Sequence, residues 1–253
     1  NYSAVTVTTI NDKINISIIG SNKWAGLEAV GTMEKIVIRN AVQLPLGYPE
    51  LCFTFDETSR TISEYDYTNA SCSKDVIIPN TIHEIPVENI GDFAFNDTGI
   101  TSVVLPNTII NIGMFAFAEN SIANIVLPAS LINIERYAFN YNLIGTLVIP
   151  DTVKNIRMGA FMGNQLTSLT LSNTIEAIEP QTFYLNSLTS VTIPDVVTYI
   201  GDQAFGQNSI TSVVIPNNVK YLSGFDNNSL TGVAIPNGVT EIGGWAFLLN
   251  NIT

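Results

Sequence analysis

The stretch Asn186-Ser-Leu-Thr-Ser-Val-Thr-Ile-Pro194, followed by Ile200 and then by Ala204-Phe205, decides the fold because it recurs. Phe117, Phe139, Phe161, Phe183, Phe205, Phe225 and Phe247 stand 22 residues apart, except for the 20 between Phe205 and Phe225. Three residues after each comes an asparagine: Asn120, Asn142, Asn164, Asn186, Asn208, Asn228 and Asn250. Eleven residues before come Pro106, Pro128, Pro150, Ser172, Pro194 and Pro236, with Pro216 two residues closer to its Phe. A looser unit precedes them from Asp75 to Gly99, carrying Pro79, Ile90, Ala94 and Phe95.

Ahead of each proline, apolar residues alternate with variable ones, as in Val103/Leu105, Leu147/Ile149 and Val191/Ile193. Period two over so few residues predicts a short strand. The proline lacks an amide proton, so it ends the ladder and turns the chain. Beyond it, Ile109, Ile112, Ala116 and Phe117 mark an inward-facing return arm, with a brief helical turn expected around the Ala-Phe pair. One such unit cannot bury its own apolar edge, whereas stacked units bury Ile, Val, Leu and Phe in continuous columns, which predicts a solenoid. An inward asparagine amide at each bend can satisfy backbone groups of its own and the adjacent coil. Leaving one such group unpaired costs roughly 1 to 3 kcal/mol, so the Asn column is read as structural.

The pattern Asn-x-Leu-x-x-Leu-x-Leu-Pro, with the Ile and Ala-Phe that follow, resembles the leucine-rich repeats of the BspA type. The resemblance covers residues 75 to 253 in seven registered copies, about eight units with the irregular first. It implies a curved leucine-rich-repeat solenoid with short parallel strands on one face and short or helical turns on the other. It also implies export to the cell surface or the extracellular space, with roles in adhesion and protein binding. Departures from the pattern are Ser172 for proline, Thr182 and Gly224 for alanine, and a two-residue deletion between Leu222 and Phe225 that should tighten one turn.

Residues 1 to 74 lie outside the repeat and are expected to form a β-rich N-terminal head or cap. A hairpin is expected from Val5 to Ile19 around Asn11-Asp12, with further strands at Lys35 to Arg39, Leu51 to Phe55 and Thr61 to Tyr65. Its expected role is to cover the first coil, since an open solenoid end exposes apolar side chains and strand edges. Cys52 and Cys72 flank a turn-rich stretch within it. A loop-closing disulfide is the natural reading, worth about 3 kcal/mol of loop entropy, and two unpaired buried thiols are the alternative. The segment from Cys52 to Pro79 is similar to stretches that precede such repeats in some prepilin-like surface proteins, which makes a pilin-like head a second reading.

Ten Lys+Arg against 22 Asp+Glu in 253 residues give a net charge of -12, and four basic against 14 acidic residues fall in 75 to 253. A field of that sign excludes a phosphate-tracking nucleic-acid binder. No run approaches the roughly 18 apolar residues of a membrane span. The sequence starts at Asn1 with no signal-type segment and stops at Asn251-Ile252-Thr253, where another strand is due; further sequence or a partner contact is expected there. Catalysis finds no footing. The single His83 has no nucleophile motif near it, and no phosphate loop, dinucleotide fingerprint or HExxH occurs. Two cysteines and one histidine cannot hold zinc, so no metal or cofactor is expected. Asp151 and Asp195 stand two coils apart, about 10 Å, but Asn173 between them marks a turn-capping column.

Binding candidates lie where a solenoid exposes variable positions. The middle strand residues form an uncharged column, Val104, Val126, Val148, Thr170, Thr192, Val214 and Ala234, which β-propensity alone would also favour. Around the bend after Phe stand Tyr141, Met162, Tyr184 and Leu185, with Tyr137 and Trp245 nearby, an aromatic cluster able to anchor a partner. The expected function is a non-enzymatic surface module binding a macromolecular partner, a host, matrix or cell-surface protein. The alternatives are a pilus or cell-wall component and, third, glycan recognition by the Tyr and Trp cluster.

Overall fold

The computed structural model describes residues 51–253 in full and, before them, the backbone of four strands. Those four are β1 (Val5–Ile10), β2 (Lys13–Ile18), β3 (Ala29–Val30) and β4 (Val37–Ile38). β1 and β2 pair antiparallel with Ile10 opposite Lys13, the hairpin expected around Asn11-Asp12, and β3 pairs with β4. The chain divides into two compact units, 1–46 and 47–253.

The second unit begins with β5 (Phe53–Asp56) and β6 (Thr61–Tyr65), an antiparallel hairpin whose first strand starts next to the Cys52–Cys72 disulfide, Cα atoms 5.7 Å apart. The irregular first coil follows with β7 (Asp75–Ile77), β8 (Thr81–Ile82), β9 (Ile85–Pro86) and β10 (Asn89–Ile90). The regular coils then contribute β11 (Ser102–Val104), β12 (Asn111–Ile112), β13 (Asn133–Ile134), β14 (Thr146–Val148), β15 (Asn155–Ile156) and β16 (Ser168–Thr170). The last four strands are β17 (Ala177–Ile178), β18 (Tyr199–Ile200), β19 (Tyr221–Leu222) and β20 (Glu241–Ile242).

Each coil has a strand arm before the proline, a return arm after it, and a bend at the phenylalanine. Strands occur on both arms, and the longer ladders belong to the return arm, not to the strand arm on which the alternating pattern drew attention. Parallel pairing runs β6-β10-β12-β13-β15 and then β17-β18-β19-β20. On the strand arm only β7 with β11 and β14 with β16 pair over three residues, and Ser190 bridges Ser212.

Between the arms the phenylalanines form one column. From Phe95 to Phe247 successive rings stack at 4.9 to 6.2 Å with planes within 21°. That spacing follows from the roughly 4.8 Å rise of a parallel ladder, which leaves each ring in contact with the next. The rings from Phe95 to Phe225 are fully buried, as are Ile109, Leu131, Val153, Val197 and Val219 along the return arm. Each such side chain contributes about 1.5 to 3 kcal/mol of transfer free energy.

No helix occurs among the described residues, so the expected helical turn is absent. The bend instead alternates handedness: Tyr137 (φ 57°) and Tyr141 (φ 49°) flank Phe139, and the equivalent Phe115/Glu119 and Gln181/Leu185 do the same. Left-handed residues two before and two after the Phe turn every second amide toward the next coil. Tyr137 N–H donates to Met158 O (3.0 Å), Phe139 N–H to Ala160 O (2.8 Å) and Tyr141 N–H to Met162 O (2.9 Å). A helical turn would spend those amides within its own coil, whereas three inter-coil bonds, at about 0.5 to 1.5 kcal/mol net each, offset a left-handed cost of about 1 to 2 kcal/mol for each of the two residues. At the 20-residue coil the deletion is absorbed at Gly224 (φ 86°), whose place no other residue could take, since a Cβ there would lie 2.4 Å from Gly201 O.

The inward asparagines tie neighbouring coils. Asn164 Nδ2 donates to Phe139 O (2.9 Å) of the coil before and to Phe161 O (3.1 Å) of its own, while Oδ1 accepts Ile144 N–H (3.1 Å). The same set of bonds is made by Asn142, Asn186, Asn208, Asn228 and Asn250, and Asn120 differs only in its extra bond to Thr98. A second asparagine ladder, absent from the sequence reading, lies on the return arm. There Asn155 donates to Asn133 (2.7 Å), Asn133 to Asn111 (2.6 Å) and Asn111 to Asn89 (2.7 Å).

Candidate binding surfaces

The nine residues singled out for binding fall on two parts of the coil. Val126 (82% exposed), Val148 (64%), Thr170 and Thr192 line the strand arm, extended by Val104 and Val214. Val148 lies directly beside Thr170 in the β14–β16 register. The alternation places Leu147 and Leu169 inward, so the outward column is what the pleat leaves to solvent. It carries no charge, in a solenoid that holds 14 acidic residues against four basic ones.

Tyr137, Tyr141, Met162, Tyr184 and Leu185 sit at the bend. Tyr141 is 47% exposed and lies across Gly163 of the next coil, where a Cβ would come within 2.6 Å of its ring; Tyr184 and Leu185 follow at the bend of the coil after that. The Tyr184 hydroxyl accepts from Gln207 Nε2 (2.5 Å). Partial burial, and secondarily Asp226, push the Tyr184 phenol above its ordinary value. Met162 is half-buried at the bend of the intervening coil. Tyr137 belongs to a different column: its ring stacks on Phe115 (4.9 Å), which stacks on Phe93 (5.1 Å), and it covers Gly159 on the other side. The Phe93–Phe115–Tyr137 stack escaped the sequence reading. Its signal was an aromatic two residues before the core Phe in three successive coils, masked by the regularity of the core position itself. Trp245, Leu248 and Leu249 are exposed on the last described coil, far along the chain from the Tyr141 group.

Asp151 caps the turn of the next coil, as its Asp/Asn column implies. Asp151 accepts the Asn173 backbone N–H (2.8 Å), and His83 is exposed and paired with Glu57 (2.8 Å). Among the described residues no cluster of His, Cys, Asp and Glu could hold a metal ion, and no helix is long and apolar enough to cross a membrane.

A stack of near-identical coils with a smooth strand face and an aromatic bend defines a repeat protein of the macromolecule-binding kind, with elongated surfaces in place of a deep pocket. The family model for the BspA type leucine rich repeat region matches residues 52–153, 88–209 and 133–253 in six copies, and the chain belongs to that family. No curated protein sequence matches it significantly. Among solved structures, a leucine-rich repeat protein from Bacteroides ovatus is similar over 100% of this chain and 69% of its own at 16% identity and TM-score 0.52. The pneumococcal vaccine antigen PcpA is similar over 76% and 74% at 17% identity and TM-score 0.51. A leucine rich cell surface protein from Faecalibacterium prausnitzii matches over 77% and 71% at 23% identity and TM-score 0.49. The first two likenesses establish the fold, a leucine-rich-repeat solenoid, and the family is one of protein-interaction modules.

Proposed function

We propose that this protein is an extracellular or cell-surface adhesion module that binds a matrix or cell-surface protein along its solenoid and performs no catalysis. The observation that carries the reading is the uncharged strand-arm column, whose Val104, Val126, Val148 and Val214 are 58%, 82%, 64% and 82% exposed. A row of β-branched side chains left in water over successive coils is a surface of the kind that monomeric proteins cover on binding. The Tyr141, Tyr184 and Leu185 group supplies rigid aromatic anchors of the type that dominate interface energetics. The Phe53–Tyr65 hairpin serves in this reading as the cap of the first coil, to which β6 pairs through β10. No observation on the described residues favours a pilus component.

The test is capture from extracellular-matrix and cell-surface extracts by the full chain, against two double variants, Val126→Lys/Val148→Lys and Tyr141→Ala/Tyr184→Ala. Loss of at least tenfold in the captured partner with the lysine pair places binding on the strand arm. Loss with the alanine pair places it on the bend. Undiminished capture by both, with the fold intact by circular dichroism, overturns the reading.

A further inference from the structure

The return-arm ladder is broken at one step. Elsewhere the amides of each return arm donate to the coil before: Ile132 N–H to Ile110 O (2.9 Å), Lys154 N–H to Ile132 O (3.0 Å), Thr198 N–H to Glu176 O (2.8 Å), Lys220 N–H to Thr198 O (2.8 Å). No bond of this kind joins Glu176, Ala177 or Glu179 to Lys154 or Ile156, and β15 and β17 do not pair. The core widens at the same step, with Phe161 and Phe183 at 5.9 Å against 4.9 to 5.5 Å for the other fully buried pairs. The strand arm stays closed there through β14 and β16, so the two coils part on the return-arm side only.

The cause is the one missing proline. In the other regular coils the third residue after the proline donates back to its carbonyl, as Val153 N–H does to Pro150 O (3.0 Å) and Val197 N–H to Pro194 O (3.1 Å). Ser172 makes a different turn. Its hydroxyl donates to Val153 O (3.1 Å) and accepts Thr174 N–H (3.1 Å), and Thr174 Oγ1 reaches Asp151 O (2.9 Å). Serine and threonine hydroxyls thus replace the backbone turn and shift where the return arm starts.

The opening is a recess of ≈ 500 Å³ lined by Lys154 to Arg157 on one lip and by Thr174, Glu176, Ala177 and Glu179 on the other. Its volume is that of a small-molecule site, roughly 300 to 1,000 Å³. The lips are chemically opposite. The backbone of one offers acceptors, the carbonyls of Lys154 and Ile156, joined by the Oδ1 of Asn155, which loses its ladder partner because Ala177 stands where an asparagine would donate. The other offers the unpaired amides of Glu176, Ala177 and Glu179. Arg157 and Glu179 close one end with an ion pair across the gap (2.8 Å), and Glu179 also takes Met158 N–H (3.1 Å). Beside Ala177 in the ladder register stands Tyr199, half-buried and stacked on Tyr221 (5.0 Å).

We propose that this recess binds an N-acetylated hexosamine. A trans acetamido group carries one N–H and one C=O pointing apart, the same pair that the broken ladder leaves unmatched. Its N–H goes to the carbonyl lip and its oxygen to the amide lip, while the pyranose ring lies against the Tyr199 face. Charged side chains on both rims hydrogen-bond the hydroxyls. The site is separate from the strand-arm and bend surfaces, so it stands or falls independently of adhesion.

Saturation-transfer NMR on the full chain with N-acetylglucosamine and N-acetylgalactosamine, read separately, tests it, with glucose and galactose as acetamide-free controls. The expected result is transfer strongest at the acetamide methyl of one epimer and at least tenfold weaker for the sugar without that group. Tyr199→Ala and Ala177→Asn, the latter extending the asparagine ladder into the recess, each remove the signal at least tenfold, as does Ser172→Pro, which restores the regular turn. Tyr141→Ala leaves it unchanged. Absence of transfer, equal transfer to glucose or galactose, or transfer that survives both Ala177→Asn and Ser172→Pro in folded protein overturns the assignment and leaves a hydrated recess.

Discussion

Replacing Asn164 with alanine removes one tie from the middle of the solenoid, and the structure fixes what is lost. Three bonds under 3.2 Å disappear: those to Phe139 O and Phe161 O and the one from Ile144 N–H. The two carbonyls each keep another asparagine, Asn142 for Phe139 (3.2 Å) and Asn186 for Phe161 (3.1 Å). They therefore lose net bonds worth about 0.5 to 1.5 kcal/mol each without becoming orphans. Ile144 N–H has no such reserve and costs about 1 to 3 kcal/mol as a buried unpaired donor. The sum is about 2 to 6 kcal/mol; its central value near 4 lowers the midpoint of thermal unfolding of a chain of this size by roughly 8 to 16 °C, and its extremes by roughly 4 and 24 °C. Circular dichroism melts at fixed scan rate measure the shift, and hydrogen exchange localises it, because the Ile144 amide should lose protection before amides two coils away. Because coils couple mainly to neighbours, the melt should also broaden as the two halves uncouple. A shift under 2 °C, or an Ile144 amide as protected as before, would refute the reasoning.

Two further outcomes follow from the bend and the return arm. Gly163→Ala should cost about 1 to 2 kcal/mol, because the Cβ enters the space of the Tyr141 ring, and Tyr141→Ala in the same chain should recover at least about 0.5 kcal/mol of it in denaturant titrations; additive losses would remove the Tyr141–Gly163 contact from the account. Tyr221, whose hydroxyl donates to Asp202 (2.9 Å), has its phenol pushed up to about 12 by that bond and then by burial. A raised folded value means that the stabilisation is complete below the ordinary 10.0 and is lost as pH rises from there through about 12. Ultraviolet titration should show Tyr221 among the late-ionising tyrosines, with Tyr65, Tyr184 and Tyr199 also raised, and Asp202→Asn should bring the last part of the curve forward.

The solenoid was legible because its cause is periodic. One Phe and one Asn per 22 residues can satisfy a stack only if every coil repeats the same burial and the same side-chain bonds, so the pattern and the core are the same fact. The two strands between Phe53 and Tyr65, though not their pairing, and the Cys52–Cys72 bridge were visible through turn residues and cysteine spacing. The bend was not. A left-handed residue is betrayed by glycine, and here Phe, Tyr, Glu, Gln and Leu take that conformation because inter-coil bonds compensate, leaving no local signature. The return-arm ladder was missed for a similar reason: two residues per coil, such as Asn133-Ile134, are too short to show a period. Tyr137 and Tyr141 were readable as exposed aromatics, but four residues apart in sequence they occupy separate columns, and only the bend geometry separates them.

A repeat sequence also makes its own exceptions conspicuous, and in this chain the exceptions differ in kind. The deletion before Phe225 is absorbed where it occurs: Gly224 takes the strained position, the rings on either side still stack at 5.3 and 6.2 Å, and Asn228 keeps its bonds. Thr182 in place of alanine is likewise neutralised, its hydroxyl buried on Glu179 O (2.7 Å). Ser172 is not compensated. Its turn satisfies the serine and leaves the neighbouring arm with unmatched carbonyls, unmatched amides and the free Oδ1 of Asn155. Restoring proline by a single change would close the ladder at small conformational cost, since proline fits that place in the other coils. A break that one substitution could mend, one ladder position from Tyr199 and spanned by an ion pair, is therefore the exception that the proposed sugar site rests on.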